Sequence, residues 1–269
     1  MSIEMCFGDT PCRVLRAPRR LLCLPLPEPF EPPVSEAQVA ALTERVGDML
    51  GITHLTPRVY RLAPQQWLIA FYHGQVRKFR AATYEDGQLG AVTYTPRQAA
   101  IIIVDTQHRL FYVSASNRRH VVALLPALNG TLFPQRPAGM PFFSYRFDLD
   151  VLGVLRQCDR SPTVGVYPWQ QLSLKFVSWQ EAGRNAPVSK TDWPTNGFDY
   201  LDEQAFTWPR HLVDVGLTFQ PEGVRKSFSV DFVHQAGLLR TTLSEQTFSC
   251  VAGLVSLCTH CGADKEVVE

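Results

Sequence analysis

Between Ser35 and Gly51 apolar residues recur at helical spacing, with Val39, Leu42, Val46 and Leu50 on one face. Ser35-Glu36-Ala37-Gln38 has the spacing of a capping box, and Val34 and Val39 are placed as a hydrophobic staple. Gly51 is a natural stop. The pattern predicts one amphipathic helix with both ends signalled.

From Arg58 to Val113 the pattern changes to short runs rich in β-branched and aromatic residues. Val59–Leu62, Trp67–Tyr72 and Val76–Phe79 read as strands, and His73-Gly74 separates the last two tightly enough for a hairpin. The clearest unit follows. Ile101-Ile102-Ile103-Val104 stops at Asp105, a polar turn leads to Leu110-Phe111-Tyr112-Val113, and Ser116 and Asn117 offer caps for a helix that Gly130 closes.

Pro134, Pro137, Gly139 and Pro141 make residues 131–142 the best candidate boundary. Beyond it, the second half starts with Phe142–Phe147, and Leu149, Leu152 and Leu155 have helical spacing. Leu172–Trp179 alternates as a half-buried strand. Residues 180–198 read as a surface loop. Val213–Phe219 and Val224–Phe232 flank Gln220-Pro221-Glu222-Gly223 as a hairpin, and Ser244 starts a last helix through Phe248, Val251, Leu254 and Val255 toward Gly262.

The expected fold class is therefore α+β, with mixed or antiparallel sheets of short strands and a strand–strand–helix unit in each half. The expected organisation is a Pro-rich extended arm over residues 1–34, an N-terminal α+β subdomain over 35–133 and a C-terminal one over 142–269. The arm is expected to lie over the body or to reach a protein partner.

Composition narrows the class of protein. The chain has 269 residues, 45% hydrophobic and 19% charged, which suits a folded domain rather than a disordered one. The net charge of +1 gives no global field toward nucleic acid or membrane. It is unevenly spread: residues 1–150 hold 16 Lys and Arg against 12 Asp and Glu, and residues 151–269 hold 10 against 13. Seven cysteines over this length do not suggest a secreted disulfide framework. Arg13, Arg16, Arg19 and Arg20 precede Leu21-Leu22-Cys23-Leu24 in a signal-like order, but Pro25, Pro27 and Pro29 interrupt the apolar stretch. A cytoplasmic protein with no membrane contact is expected, since no apolar run reaches membrane-spanning length.

Three groups of residues carry candidate chemistry. The first is basic: His73, Arg77, Lys78 and Arg80 along the expected hairpin, and Arg118, Arg119 and His120 on the first turn of the helix. Tyr72, Phe79 and Tyr84 are interleaved. Cations neutralise phosphates, aromatic faces stack on bases, and helix N-terminal amides favour anions. The competing reading is a solvated strand edge, where charges block aggregation.

The second group is Cys258-Thr-His-Cys261-Gly262, half of a tetrahedral zinc knuckle. Cys250, Cys6, Cys12 and Cys23 are the available companions, but no second Cys-x-x-Cys exists. The competing reading makes Cys250 and Cys258 core residues of the last helix.

The third group is acidic. Asp105 ends an apolar strand, where a carboxylate can hold a divalent cation, with Asp148 and Asp150 or Asp214 and Asp231 as companions. The acid-x-Lys strand of restriction-type nucleases fails at Lys175, preceded by Leu172-Ser173-Leu174. Asp105 is more simply the first residue of the Thr106-Gln107-His108 turn. Phosphate-loop, dinucleotide, zincin and nucleophile-elbow motifs are missing. Trp67, Trp169, Trp179, Trp193 and Trp208 read as core or loop anchors.

No catalytic residue, bound metal or cofactor is expected from these patterns. The alternation of strand pairs and capping helices resembles small bacterial and phage accessory proteins of exclusion and defence systems. The first expectation is a non-catalytic binding or assembly subunit. It would use the basic face for nucleic acid or another acidic partner, and the arm for a protein contact. The alternatives are a metal-dependent nuclease or other hydrolase using Asp105, and a purely structural subunit.

Overall fold

In a computed structural model the described residues are 5–6, 19–27, 30, 35–74, 78–83, 89–94, 97–114, 118–137, 139–146, 169–180, 188–203, 212–221, 227–233, 238–241, 251–256 and 264–267. The elements run β1 (Met5–Cys6), β2 (Arg19–Pro25), α1 (Glu36–Leu50), β3 (Thr56–Ala63), β4 (Gln66–Gly74), β5 (Lys78–Thr83), β6 (Leu89–Tyr94), β7 (Arg97–Asp105), β8 (Leu110–Ser114) and α2 (Arg118–Asn129). They continue through β9 (Phe143–Arg146), β10 (Trp169–Gln180), β11 (Val188–Asp192), α3 (Gly197–Glu203), β12 (Leu212–Pro221), β13 (Phe228–Val233), β14 (Leu238–Thr241) and β15 (Asp264–Val267). Residues 251–256 are helical. The fold is α+β, and its strands pair antiparallel apart from the short parallel pair β1/β3.

One sheet of eleven strands, in the order β1-β3-β4-β7-β8-β2-β14-β13-β12-β10-β11, holds both halves of the chain; β5/β6 and β9/β15 form two smaller sheets. Its middle explains the unbroken apolar runs. Ile101 and Ile103 of β7 enter one core with Leu68, Tyr112, Leu217 and the helical residues 251–255. Ile102 and Val104 point to the other face, into a second core with α1 and α2. A strand covered on both faces has no solvent side, so period-two alternation disappears. β8 is likewise buried at all five positions.

Residues 19–25, expected within an arm over the surface, instead form the strand that joins the two halves. β2 pairs with β8 through Leu22↔Val113 and with β14 through Leu22↔Leu238. Leu21, Cys23 and Leu24 are wholly buried, and Leu22 nearly so. Four consecutive apolar residues bury on both faces of a central strand, and this outweighs the prolines that flank them. The hairpin expected at His73-Gly74 is also corrected. β4 pairs with β3 and β7, in register to Gly74↔Arg97, while β5 pairs with β6. β5/β6 is thus an excursion between two strands that are themselves partners. β4 is buried on both faces, and the equally apolar β7, rather than the polar β5, continues that buried layer across the sheet.

α1 forms as its sequence dictates. Ser35 Oγ accepts from the Gln38 amide, Gln38 Oε1 accepts from the Ser35 amide at 2.9 Å, and Gly51 takes the left-handed conformation at φ 65°. Val34 of the expected staple lies outside the described residues. The 131–142 segment, expected as a linker, carries Leu132, Phe133 and Phe142 into the core beneath α1 and α2. Phe133 packs on Phe30, Phe111 and Phe142, with ring centroids 5.5–6.4 Å apart. Residues 180–198, expected as loop, include β11, an edge strand whose alternating exposure leaves little apolar signal. Trp67 is buried and Trp179 and Trp193 pack against the core, as anchors do.

Candidate functional site

The two ends of the N-terminal part of the sheet differ in chemistry. At one end, the β3–β4 and β7–β8 turns and the end of β2 are tied together. Thr106 donates its amide (3.0 Å) and hydroxyl (3.1 Å) to Gln65 O, and Leu26 N donates to Arg109 O at 2.8 Å. Asp105, wholly buried, accepts from Gln66 Nε2 at 3.0 Å and from the His108 amide at 3.0 Å, and His108 Nδ1 lies 2.8 Å from its Oδ2. The Asp105 oxygens thus accept from two donors and contact the His108 ring, which satisfies a polar group that water cannot reach. Arg109 follows in the left-handed region at φ 57°, closing the turn. The geometry is that of a turn-capping aspartate, and no group of three or more metal-ligating side chains occurs among the described residues.

At the opposite end the register gathers basic residues from distant parts of the sequence. His73 of β4 pairs with Gln98, and Gly74 with Arg97. Ser114 ends β8 beside Ile101, so α2 starts at that end four residues later. Leu22 sits opposite Val113, which carries Arg20 and Arg19 of β2 past the same end, where they pair with Arg240 and Thr241 of β14. Arg20 and Arg119 are exposed, and among the described residues neither has a carboxylate or other side-chain partner.

The expected site residues divide accordingly. His73 and the Arg118–His120 turn are brought to one end. His120 is half-buried and has a partner, and His73 is half-buried with Nδ1 3.4 Å from Gly74 O. Lys78 and Arg80 lie on β5, which pairs with β6 in a separate two-stranded sheet. Their side chains, that of Arg118, and the whole of Arg77 and Tyr84 lie outside the described residues. Tyr72 is drawn into the core and its hydroxyl is 3.2 Å from that of Tyr60, so it is no stacking platform. Arg20 was not foreseen, nor were the backbone positions of Arg97 and Arg240, whose side chains lie outside the described residues, because only the strand register reveals them.

Cys258, Cys261, Cys250 and Cys12 lie outside the described residues. Cys23 is a wholly buried core residue paired with Tyr112 on the neighbouring strand. Tyr112 itself has its pKa raised well above the ordinary value by burial, then by Cys23, Asp105 and Tyr145 nearby. Asp214 is half-buried on β12, diagonal to Asp231 across the ladder; Asp148 and Asp150 lie outside the described residues.

No family model matches the chain. No curated protein matches it either. Among the described residues no helix is long and apolar enough to cross a membrane. The class defined by fold and site is thus an α+β protein built on one continuous sheet, with a hydrogen-bonded end and a basic end.

Proposed function

We propose that this is a non-catalytic binding protein that engages a polyanion, nucleic acid foremost, through the basic end of its central sheet. The observation that supports this is the pair of exposed arginines, Arg20 and Arg119, free of partners among the described residues and set at one sheet end. Cations placed on the first turn of α2 oppose the helix dipole, and a bound phosphate relieves that conflict by pairing with the side chains at the positive end of the helix. Ion pairing with released counterions makes such binding strongly salt-dependent. We read the protein as a cytoplasmic accessory subunit of a bacterial or phage system. Its protein contact does not fall on residues 21–24, which are buried.

No observation favours a hydrolase built on Asp105, whose carboxylate is already held by Gln66 and His108. The test is fluorescence anisotropy with a labelled oligonucleotide in low salt. Wild-type protein binds, and Arg118→Ala with Arg119→Ala lowers affinity. The slope of log K against log salt falls by about one for each phosphate that is no longer neutralised. Absence of wild-type binding in low salt refutes the reading.

A further inference from the structure

The C-terminal end of α2 faces a cleft of about 630 Å³, walled by α1 and the 130–142 segment. That volume lies within the range of small-molecule sites. Arg45 projects from α1 across Gly130, so closely that a Cβ there would collide with the guanidinium. The missing side chain at 130 leaves room for the guanidinium to lie there. Arg136 builds the far wall, donating from Nη1 to Asn129 Oδ1 (2.6 Å) and Met140 O (2.8 Å) and from Nη2 to Pro141 O (2.6 Å). Its guanidinium stacks on Phe142 at 4.0 Å. Its acceptors are all neutral, and Arg45 has no partner among the described residues.

The cleft thus holds two cationic groups, and no acidic residue lines it among the described residues. The carbonyl end of α2 favours a cation and explains why Arg45 is tolerated there, but a helix terminus carries only about half a unit charge. Apart from Asn129, the rest of the wall is largely apolar: Pro126 stands exposed on α2, and Met140 remains 47% exposed at the rim. We propose that this cleft is a binding site for a small organic anion, a carboxylate carried on an apolar body. Arg45 takes the carboxylate in its planar fork. Pro126, Met140 and Phe142 cover the apolar part. The site is separate from the basic end of the sheet, since about 15 Å of helix lies between Arg119 and Asn129.

The probe is octanoate, with 1-octanol as its uncharged counterpart, titrated into the full chain by calorimetry. Octanoate binds the wild type and 1-octanol binds at least about tenfold more weakly, because it cannot make the charge-assisted hydrogen bonds. Arg45→Gln lowers octanoate affinity by about the same factor, and Arg45→Lys, which keeps the charge but not the fork, recovers part of it. Met140→Glu abolishes binding by placing a carboxylate at the rim. Arg119→Ala leaves octanoate binding unchanged, so failure here is distinguishable from failure of the polyanion reading. Equal affinity for octanoate and 1-octanol, equal affinity of wild type and Arg45→Gln, or no octanoate binding at millimolar concentration overturns the proposal.

Discussion

The central sheet presents two unlike ends. At the Asp105 end, polar groups from three parts of the chain satisfy one another's hydrogen-bonding capacity. At the Arg20 end, exposed cations from β2 and α2 have no such partner among the described residues. Buried polar groups must be paired because water cannot serve them, and exposed charges need no partner to be stable. One end is therefore fixed for folding. The other carries exposed cations that have no side-chain partner among the described residues.

The largest effect belongs to neither end but to what separates them. Ile102→Ala, at a wholly buried position covered by α1 and α2, should cost about 4 kcal/mol in urea unfolding. It should leave oligonucleotide affinity unchanged wherever the variant is folded. Asp105→Ala breaks the fixed end by orphaning Gln66 and the His108 amide, and should cost about 3 kcal/mol by the same measurement. A destabilisation below about 1 kcal/mol would mean that the knot contributes nothing special.

Alkaline titration sharpens the contrast further. Burial raises the pKa of Tyr112 well above the ordinary value and raises that of Tyr145 as well. The native state then holds its phenolic protons more tightly than the unfolded chain, so stability falls as pH rises above about 10 and is unaffected below it. Monitoring unfolding by tyrosinate absorbance, ionisation of Tyr112 should coincide with loss of tertiary structure. Tyr112→Phe should flatten the decline. The smallest effect on stability comes from Arg20→Ala with Arg119→Ala, which should leave the thermal midpoint in place while weakening oligonucleotide binding. A shifted midpoint with unchanged affinity would reverse the assignment of the two ends.

Much of this was legible locally. α1 carried its own start and stop in Ser35, Gln38 and Gly51, because capping is a contest among neighbouring residues. The β7–turn–β8–α2 unit was equally plain, Asp105 included. Non-local pairing was not. His73-Gly74 has hairpin spacing, yet β4 finds β7 beyond an intervening β5/β6 pair, and nothing near residue 73 reports the Ile102 strand. β2 hid among prolines, although Leu21-Leu22-Cys23-Leu24 bounded by Arg20 and Pro25 is itself a short-strand signal. The basic positions at His73 and Arg118-Arg119 were therefore visible. The backbone positions of Arg20 and Arg240 at the same end depend on a strand order that local spacing does not encode.

The most direct test of the functional account is hydrogen–deuterium exchange with and without a single-stranded oligonucleotide in low salt. The account predicts slowed exchange at residues 19–22, 72–74, 97–99 and 114–120, with the Thr106–Arg109 turn and residues 130–142 unchanged. Protection confined to the Thr106–Arg109 turn, or to the β11 edge at residues 188–192, would contradict it.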